Sequence, residues 1–439
     1  MGRKIIFTGT MKVTTMKLLK LSLSIIIVIV SVVLCQQIIS NSISNQKNKT
    51  DYAELNHVTY GLFSVDEWKR QINIILAEEI DKLTLSRTNE RDLRKHIEAL
   101  LNALIDEVDK NIKEANSGSA EGWVKQSFMN IFISLKDIKK GIPGYTDAVI
   151  HEMTTSKTKG QIKTMLKKKL EKYSNETFDT QDTSQMSRIL RRTDSKDIES
   201  ARVKLSEAIS VKHDRIFKEA VLLIILSVIL FASSGFSKEP LAPSRYILLV
   251  LTLIILLIAG VTTPMIDMEA KISQMSIVLM GHPIHFENQV LYFQSKSILD
   301  VFWIMITYKD IQMKFVGVLL ITFSIFFPLL KIASSLGYYY NYHHARENPV
   351  IKFFVLKSGK WSMADVMVVA IFMAYIGFNG IVTNLFSQLI SASRELEIVT
   401  TNGTALQPGY YLFVTYTLLA LFFSGFLTRK HQPSGRKNP

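Results

Sequence analysis

The sequence contains a single cysteine, Cys35, among its 439 residues. One thiol excludes a disulfide framework within the chain and any zinc ribbon built from cysteine pairs. Cys35 ends the apolar run 31–35, and Leu34 is too large for the small residue that precedes a lipidated cysteine. We therefore expect Cys35 to be a buried, inert thiol.

Recognisable catalytic patterns are also missing. The chain has no Ser-His-Asp or His-Glu-x-x-His pattern and no glycine-rich phosphate loop. His343 and His344 are adjacent, but no other potential metal ligands lie near them in the sequence. We therefore expect no enzymatic activity, no metal and no cofactor.

The sequence does contain basic residues and long apolar runs. Its net charge of +14 would suggest nucleic acid in a soluble protein. Here many basic residues flank apolar runs, so the charge fits orientation in a bilayer and no nucleic-acid partner is expected. Most runs reach the length of a membrane span, and they cover 18–35, 219–236, 246–261, 315–336, 363–385 and 410–427.

The first apolar run, 18–35, is either a membrane anchor or the core of a signal peptide. No small-residue cleavage site follows Cys35, which favours an uncleaved anchor. Lys and Arg near the span ends give the orientation, because they accumulate on the cytoplasmic side. One side holds sixteen of them and the short loops of the other hold five. Both termini, 1–17 and 431–439, are therefore predicted to be cytoplasmic, and 36–218 to be periplasmic.

Residues 36–218 have the apolar spacing of helices, most clearly over 93–112 and 124–138. The second of these is expected to end at 141–144, 175–187 is expected to be a loop, and 195–218 to continue into the second span. The predicted fold class is thus an all-α integral membrane protein with about six transmembrane helices. It has an extracytoplasmic helical bundle and a C-terminal four-helix module over 246–430.

Polar residues inside the spans are the candidate functional residues. Ser324, Pro328 and Lys331 are spaced i, i+4, i+7 and share one helix face. Pro328 leaves the carbonyl of Ser324 without its helical donor and is expected to kink the span. A polar stripe beside a kink is typical of a face that points at a cavity or a neighbouring helix.

Ser362 and Asp365 share a face of the next span, and Asp365 is expected to pair with Lys331 because a lone charge there is costly. The alternatives are that Lys331 snorkels to the cytoplasmic headgroups and that Asp365 caps its helix. Thr415 and Thr417 are weaker candidates, for which interhelical hydrogen bonds are expected. Tyr338, Tyr339, Tyr340 and Trp361 read as aromatic residues of the membrane interface.

From about 246 to 430 the chain resembles the paraquat-inducible protein A family, which includes inner-membrane proteins of the LetA type. Five pieces carry the resemblance in order along the chain: Ala259–Met265, Ser297–Leu299, the S-x-x-x-P-x-x-K segment Ser324–Lys331, the G-x-W-S-M-x-D-V segment Gly359–Val366, and Pro408-Gly409 with Phe413. The chain departs from the family in having one module and no cysteine ribbons. The outer domain and its flanking spans match nothing in the family.

The resemblance implies a role in lipid trafficking across the cell envelope, at the bacterial inner membrane. The implied partners are a periplasmic MCE-domain protein and membrane phospholipid. The candidate lipid-transport network is Ser324, Pro328, Lys331, Ser362, Asp365, Thr415 and Thr417. Because the chain has no nucleotide-binding loop, a proton or lipid gradient is the expected energy source. The alternative is a membrane sensor with a periplasmic helical ligand-binding domain, although only twelve residues follow Leu427.

The orientation can be tested by cysteine labelling in a Cys35→Ser background. An impermeant thiol reagent added from outside should label Asn116→Cys and leave Arg436→Cys unlabelled until the membrane is permeabilised, because of the charge asymmetry. Labelling of position 436 but not of 116 in intact cells would overturn the orientation.

Overall fold

A computed structural model describes residues 3–57, 60, 184–235, 242–279, 281–357, 364–392 and 397–429, together with short pieces between 67 and 147. Among these residues helices predominate, and five of them are long and apolar enough to cross a membrane. The predicted class, an all-α integral membrane protein, is confirmed. A small antiparallel sheet, which the sequence analysis did not predict, is attached to the helices.

Two long helices carry the first two predicted spans. Helix α1 (Arg3–Leu55) continues about twenty residues beyond Cys35, because no glycine or proline interrupts 36–57. After the short helix α2 (Ser184–Thr193), helix α3 (Ile198–Gly235) runs unbroken into the second span. The predicted C-terminal bound of the loop 175–187 is therefore wrong, because residues from Ser184 onward are helical.

Helix α3 begins at a polar cap. The Oδ1 atom of Asp197 accepts a hydrogen bond from the Ser200 backbone N–H at 2.7 Å. This bond satisfies one of the N–H groups that a helix start leaves without a partner. The hydrogen bonds from Ser200 also lower the pKa of Asp197, because they favour the ionised carboxylate.

Polar contacts join α1 and α3 as an antiparallel pair beyond Cys35. Asn41 donates to Glu219 at 3.3 Å, and Lys212 donates to the hydroxyl of Ser44 at 2.5 Å. Farther out, the Arg202 guanidinium donates to the carbonyl of Leu55 at 2.9 Å. Successive contacts pair rising α1 numbers with falling α3 numbers, so the two helices have a defined register.

The C-terminal module contains the other spans. The first is α4 (Pro243–Thr262). The next is one long span that starts at α6 (Ile311–Ile321) and ends with α7 (Phe327–Tyr340). The third is α9 (Ala364–Ala392). A short helix, α8 (Pro349–Lys352), precedes α9. Helix α10 (Pro408–Arg429) corresponds to the sixth predicted span, and its described apolar part is the shorter stretch Pro408–Phe423.

The segments between these spans are a sheet and a helix rather than loops. Strands β1 (Ile266–Leu279) and β2 (His282–Lys296) form an antiparallel hairpin, and β3 (Glu397–Asn402) and β4 (Ala405–Leu406) pair with the other edge of β1. Gly281 turns the hairpin with φ +79°, a conformation that glycine adopts without strain. A capping box between Ser297 and Asp300 then starts α5 (Ile298–Thr307).

The C-terminal end of α1 is attached to this sheet. The ammonium of Lys49 lies 2.5 Å from a carboxylate oxygen of Asp267 in β1, and these side chains are 14% and 7% exposed. Lys49 also donates to Gln407, just before α10, at 3.3 Å. One turn earlier, Gln46 donates to the carbonyl of Ser295 in β2 at 2.6 Å. The N-terminal helix and the C-terminal module therefore share one buried polar junction.

Most of the predicted outer bundle lies outside the described residues, including nearly all of 93–138. The expected helix end at 141–144 is wrong, since residues 139–144 are helical. Ile142 and Thr146 are 4% and 0% exposed. Packing of these two residues outweighs the low helix propensity of the glycines and Pro143 between 141 and 144.

Two glycines bring α4 and α10 into close contact. A Cβ atom on Gly260 would lie 3.0 Å from the backbone nitrogen of Phe413. A Cβ atom on Gly409 would lie 2.3 Å from the carbonyl oxygen of Thr263, a distance that no real Cβ contact permits. Gly409 N–H instead donates to the carbonyl of Pro264 at 3.0 Å. Small residues of this kind are what allow membrane helices to approach backbone to backbone.

Gly409→Ala should destabilise the protein by about 1–3 kcal/mol, because its methyl group collides with fixed backbone atoms. Gly380→Ala is the matched control, since nothing lies within 4 Å of a Cβ atom there. Thermal unfolding of the detergent-solubilised full chain should show a lower melting temperature for the first variant only. If Gly409→Ala melts at or above the wild-type temperature, the close contact does not exist.

Candidate functional site

The span that contains Ser324 and Lys331 is interrupted by a π-helical turn. The turn covers Thr322–Phe326, and its last hydrogen bond runs from the Phe327 N–H to the Thr322 carbonyl. Pro328 has no N–H, and its ring would clash with the Ser324 carbonyl in a regular α-helix. The wider turn relieves this clash, so the expected kink takes the form of a π-helical turn. Such turns occur frequently at functional sites.

The polar stripe lies inside the protein. Ser324 is 0% exposed and Lys331 is 6% exposed, and Pro328 is buried between them. Ser335 continues the stripe one turn farther and is 3% exposed. The predicted shared face is thus turned toward the neighbouring helices. The spacing of Ser335, four residues after Lys331, was a signal that the sequence analysis overlooked.

The hydroxyl of Ser324 has no hydrogen-bond partner among the described residues. A buried hydroxyl without a partner costs about 1–3 kcal/mol. A polar atom left in this state beside a π-helical turn is a candidate contact for a bound molecule or a water.

Lys331 is buried within the helix bundle, which argues against the snorkelling alternative. A snorkelling lysine has its stem on an apolar surface and its ammonium in water or headgroups. Lys331 is instead 6% exposed, and the next residue, Ile332, packs in the same apolar core as α4. A charge in such surroundings must be compensated by polar groups.

An aromatic cluster packs against the end of the stripe nearest the C-terminus of α7. The hydroxyl of Tyr246 in α4 donates to the carbonyl of Ser335 at 3.0 Å. The Tyr246 ring stacks on Tyr339 with centroids 4.0 Å apart, and lies 4.9 Å from Phe423 of α10. Tyr338 and Tyr339 are 8% and 6% exposed, so both side chains pack inside the helix bundle rather than facing lipid.

Helix α7 ends beside this cluster in a basic cap. Asn341 adopts the left-handed conformation with φ 53°, and the Arg346 guanidinium donates to the carbonyls of Tyr338 and Tyr339 at 3.2 Å. A cation at this position satisfies the last carbonyls and complements the helix dipole. The cap therefore stabilises the C-terminal end of α7.

The other predicted network residues have different outcomes. Ser362 and the side chain of Asp365 lie outside the described residues, although Asp365 falls in the first turn of α9. Thr415 and Thr417 donate to the carbonyls of Tyr411 and Phe413 in their own helix, at 2.8 and 3.0 Å. The expected interhelical bonds are wrong, because the carbonyl one turn back is always within reach of a helical threonine.

The sequence analysis also missed the polar junction of Lys49, Asp267 and Gln407. The absence of glycine and proline after Cys35 was the available signal that α1 would carry Lys49 outward. Alternating apolar residues in 284–290 and the turn residue Gly281 were the available signal for the strands. Among the described residues, no group of three or more His, Cys, Asp or Glu side chains could hold a metal ion.

The model of the paraquat-inducible protein A family matches residues 290–387. No curated protein and no solved structure matches the chain significantly. The matched segment includes Ser324, Pro328, Lys331 and the π-helical turn. The resemblance found in the sequence is confirmed there: residues 290–387 carry the sequence pattern of the paraquat-inducible protein A family.

Proposed function

We propose that this protein is an inner-membrane component of a system that moves lipid or other lipophilic molecules across the cell envelope. It works with a periplasmic MCE-domain protein, loading or unloading lipid at the membrane. The observation that carries the proposal is the buried stripe of Ser324, Pro328 and Lys331 beside a π-helical turn. The stripe lies inside the segment that matches the paraquat-inducible protein A family.

The chemistry of the stripe suits a transport step. A buried lysine inside a membrane span is costly, and such residues commonly line the paths of ions or substrates. The proposed partner of Lys331 is Asp365 on α9. Protonation of that carboxylate would neutralise one half of the pair, which connects the stripe to a proton gradient as an energy source.

A membrane sensor is the second candidate function. Helices α1 and α3 pass without a break from the outer segment through the predicted spans. A ligand bound by the outer segment would therefore act directly on two membrane helices that pack against the module. A gene for an MCE-domain protein beside the gene for this chain would favour transport over sensing. Recovery of an MCE-domain protein together with the full chain after crosslinking would do the same.

Lys331→Ala and Asp365→Ala should each abolish lipid movement while the protein remains inserted, because removal of one partner leaves the other charge poorly compensated. Detergent sensitivity of a strain that lacks the wild-type copy reports function, and membrane-fraction immunoblots report insertion. Lys352→Ala is the matched control, since Lys352 is exposed. Restored activity in the exchanged variant Lys331→Asp with Asp365→Lys would support a direct pair.

Full activity of both single variants at normal abundance would contradict the proposed role. The two residues would then have structural roles, Lys331 in the packing of the bundle and Asp365 at the start of its helix.

Ser324→Ala separates function from stability at the same stripe. It should leave the melting temperature of the full chain unchanged or higher, since the lost hydroxyl has no partner among the described residues. Activity in the detergent-sensitivity assay should nevertheless fall. Ser227→Ala is the control, because that buried hydroxyl donates to the Leu223 carbonyl at 2.8 Å. It should lower stability by about 1 kcal/mol without affecting activity.

A further inference from the structure

Helices α5 and α6 form a hairpin that stands beyond the end of α4 from which the sheet continues. The short turn 308–310 joins the two helices, and they pack against each other in antiparallel directions. A Cβ atom on Gly317 of α6 would lie 2.9 Å from the Cβ atom of Met305 in α5, so the packing is close. The hairpin is therefore a fixed part of the C-terminal module.

The lengths of two neighbouring spans give the height of the hairpin. The span from Ile311 to Tyr340 has 30 residues, whereas α4 has 20. The two spans are level at one side, where the hydroxyl of Tyr340 donates to the carbonyl of Pro243 at 3.1 Å. The excess of about ten residues therefore extends roughly 15 Å beyond the other end of α4.

Helix α5 gives the same height independently. Just after α4, the N–H of Met265 donates to the carbonyl of Lys296, just before α5, at 2.9 Å. Helix α5 thus begins at the level where α4 ends. Its 10 residues cover roughly 15 Å, which brings the turn 308–310 to the level reached by the start of α6.

Large apolar side chains cover this hairpin. Trp303, Ile311 and Phe315 are 67%, 79% and 64% exposed, and Tyr308 is exposed at the turn. Contiguous apolar surface of this kind marks a contact with a protein partner or with lipid. About 20 apolar residues already cross a hydrocarbon core of about 30 Å, so a bilayer that matches α4 ends below the tip of the hairpin.

The occupant of the surface follows from its continuity with the membrane-facing side of the same span. Phe326 and Leu329 are exposed on the part of the span that packs beside α4, and Val318 continues this apolar surface toward the hairpin. Lys314 is the only charged residue in 311–330. A span longer than the hydrocarbon core can be matched by local thickening of the bilayer. Acyl chains therefore fit the whole length of this surface.

We propose that the α5–α6 hairpin binds the acyl chains of phospholipid that is raised roughly 15 Å above the surrounding bilayer. The inference deepens the proposed function, because a lipid raised in this way is already partly withdrawn from the membrane. The purpose of the surface rests on that function. The lipid contact itself requires no transport step and is measured without one.

The test is electron paramagnetic resonance on the full chain in a Cys35→Ser background, reconstituted in vesicles of phosphatidylethanolamine and phosphatidylglycerol. Nitroxide labels attached through Trp303→Cys and Ile311→Cys should collide more often with oxygen, which concentrates in lipid, than with a water-soluble nickel chelate. Either position alone is sufficient if the other variant fails to fold, and both wild-type side chains are exposed.

Thr401→Cys on β3 is the matched control at a similar height. Thr401 is exposed and pairs with Lys271. Lys271 lies about six residues after Met265, which is roughly 20 Å along β1. A label there should collide more often with the nickel chelate than with oxygen, because the raised lipid is confined to the hairpin.

More frequent collisions with the nickel chelate at 303 and 311 would overturn the proposal and indicate a protein partner for the hairpin instead. More frequent collisions with oxygen at 401 would also overturn it, since the bilayer surface would then lie beyond the hairpin and no lipid would be raised. Lys331→Ala should keep the lipid contact at both hairpin positions. A Lys331→Ala chain that retains full transport would contradict the proposed function and leave the lipid contact of the hairpin standing.

Discussion

The ion pair between Lys49 and Asp267 is the contact on which the placement of the N-terminal helix against the C-terminal module depends. It joins the N-terminal helix α1 to strand β1, and Gln407 extends the junction to the start of α10. Such a buried pair contributes little net stability, because desolvation offsets the attraction between the charges. Loss of one partner, however, leaves an unpaired buried charge, which typically costs about 3–5 kcal/mol. The pair therefore joins α1 to β1 while adding little to the net stability of the fold.

The membrane imposes a second constraint, since each backbone polar group inside it needs a partner within the protein. The long span that contains Pro328 meets this constraint with a π-helical turn rather than a break. Irregular backbone is tolerated at this depth where protein or a cavity covers it. The same turn carries the buried Ser324 and leads into buried Lys331. The backbone irregularity and the intramembrane polar groups are therefore one structural feature.

Helix α4 connects the two polar regions of the protein. At its C-terminal end the chain continues into Thr263, which lines a small polar cavity together with Lys49 and Gln407. Near its N-terminal end, Tyr246 donates a hydrogen bond to the Ser335 carbonyl and stacks on Tyr339 of α7. Most of α4 between these points is buried against other helices, and Gly260 allows α10 to pack closely against it. A movement of α4 would therefore displace residues in both regions.

The sequence by itself determined the membrane helices, the continuity of 195–218 with the second span, and the shared face of Ser324, Pro328 and Lys331. Each of these follows from local rules, namely apolar length, helical spacing and the chemistry of proline. Only the tertiary structure decided the sheet, because strand pairing joins 266–279 to 397–402 across more than a hundred residues. It also decided the polar junction, in which Lys49 meets Asp267 and Gln407. Local patterns give the position of a charge along a helix, whereas its partner depends on which surfaces pack together.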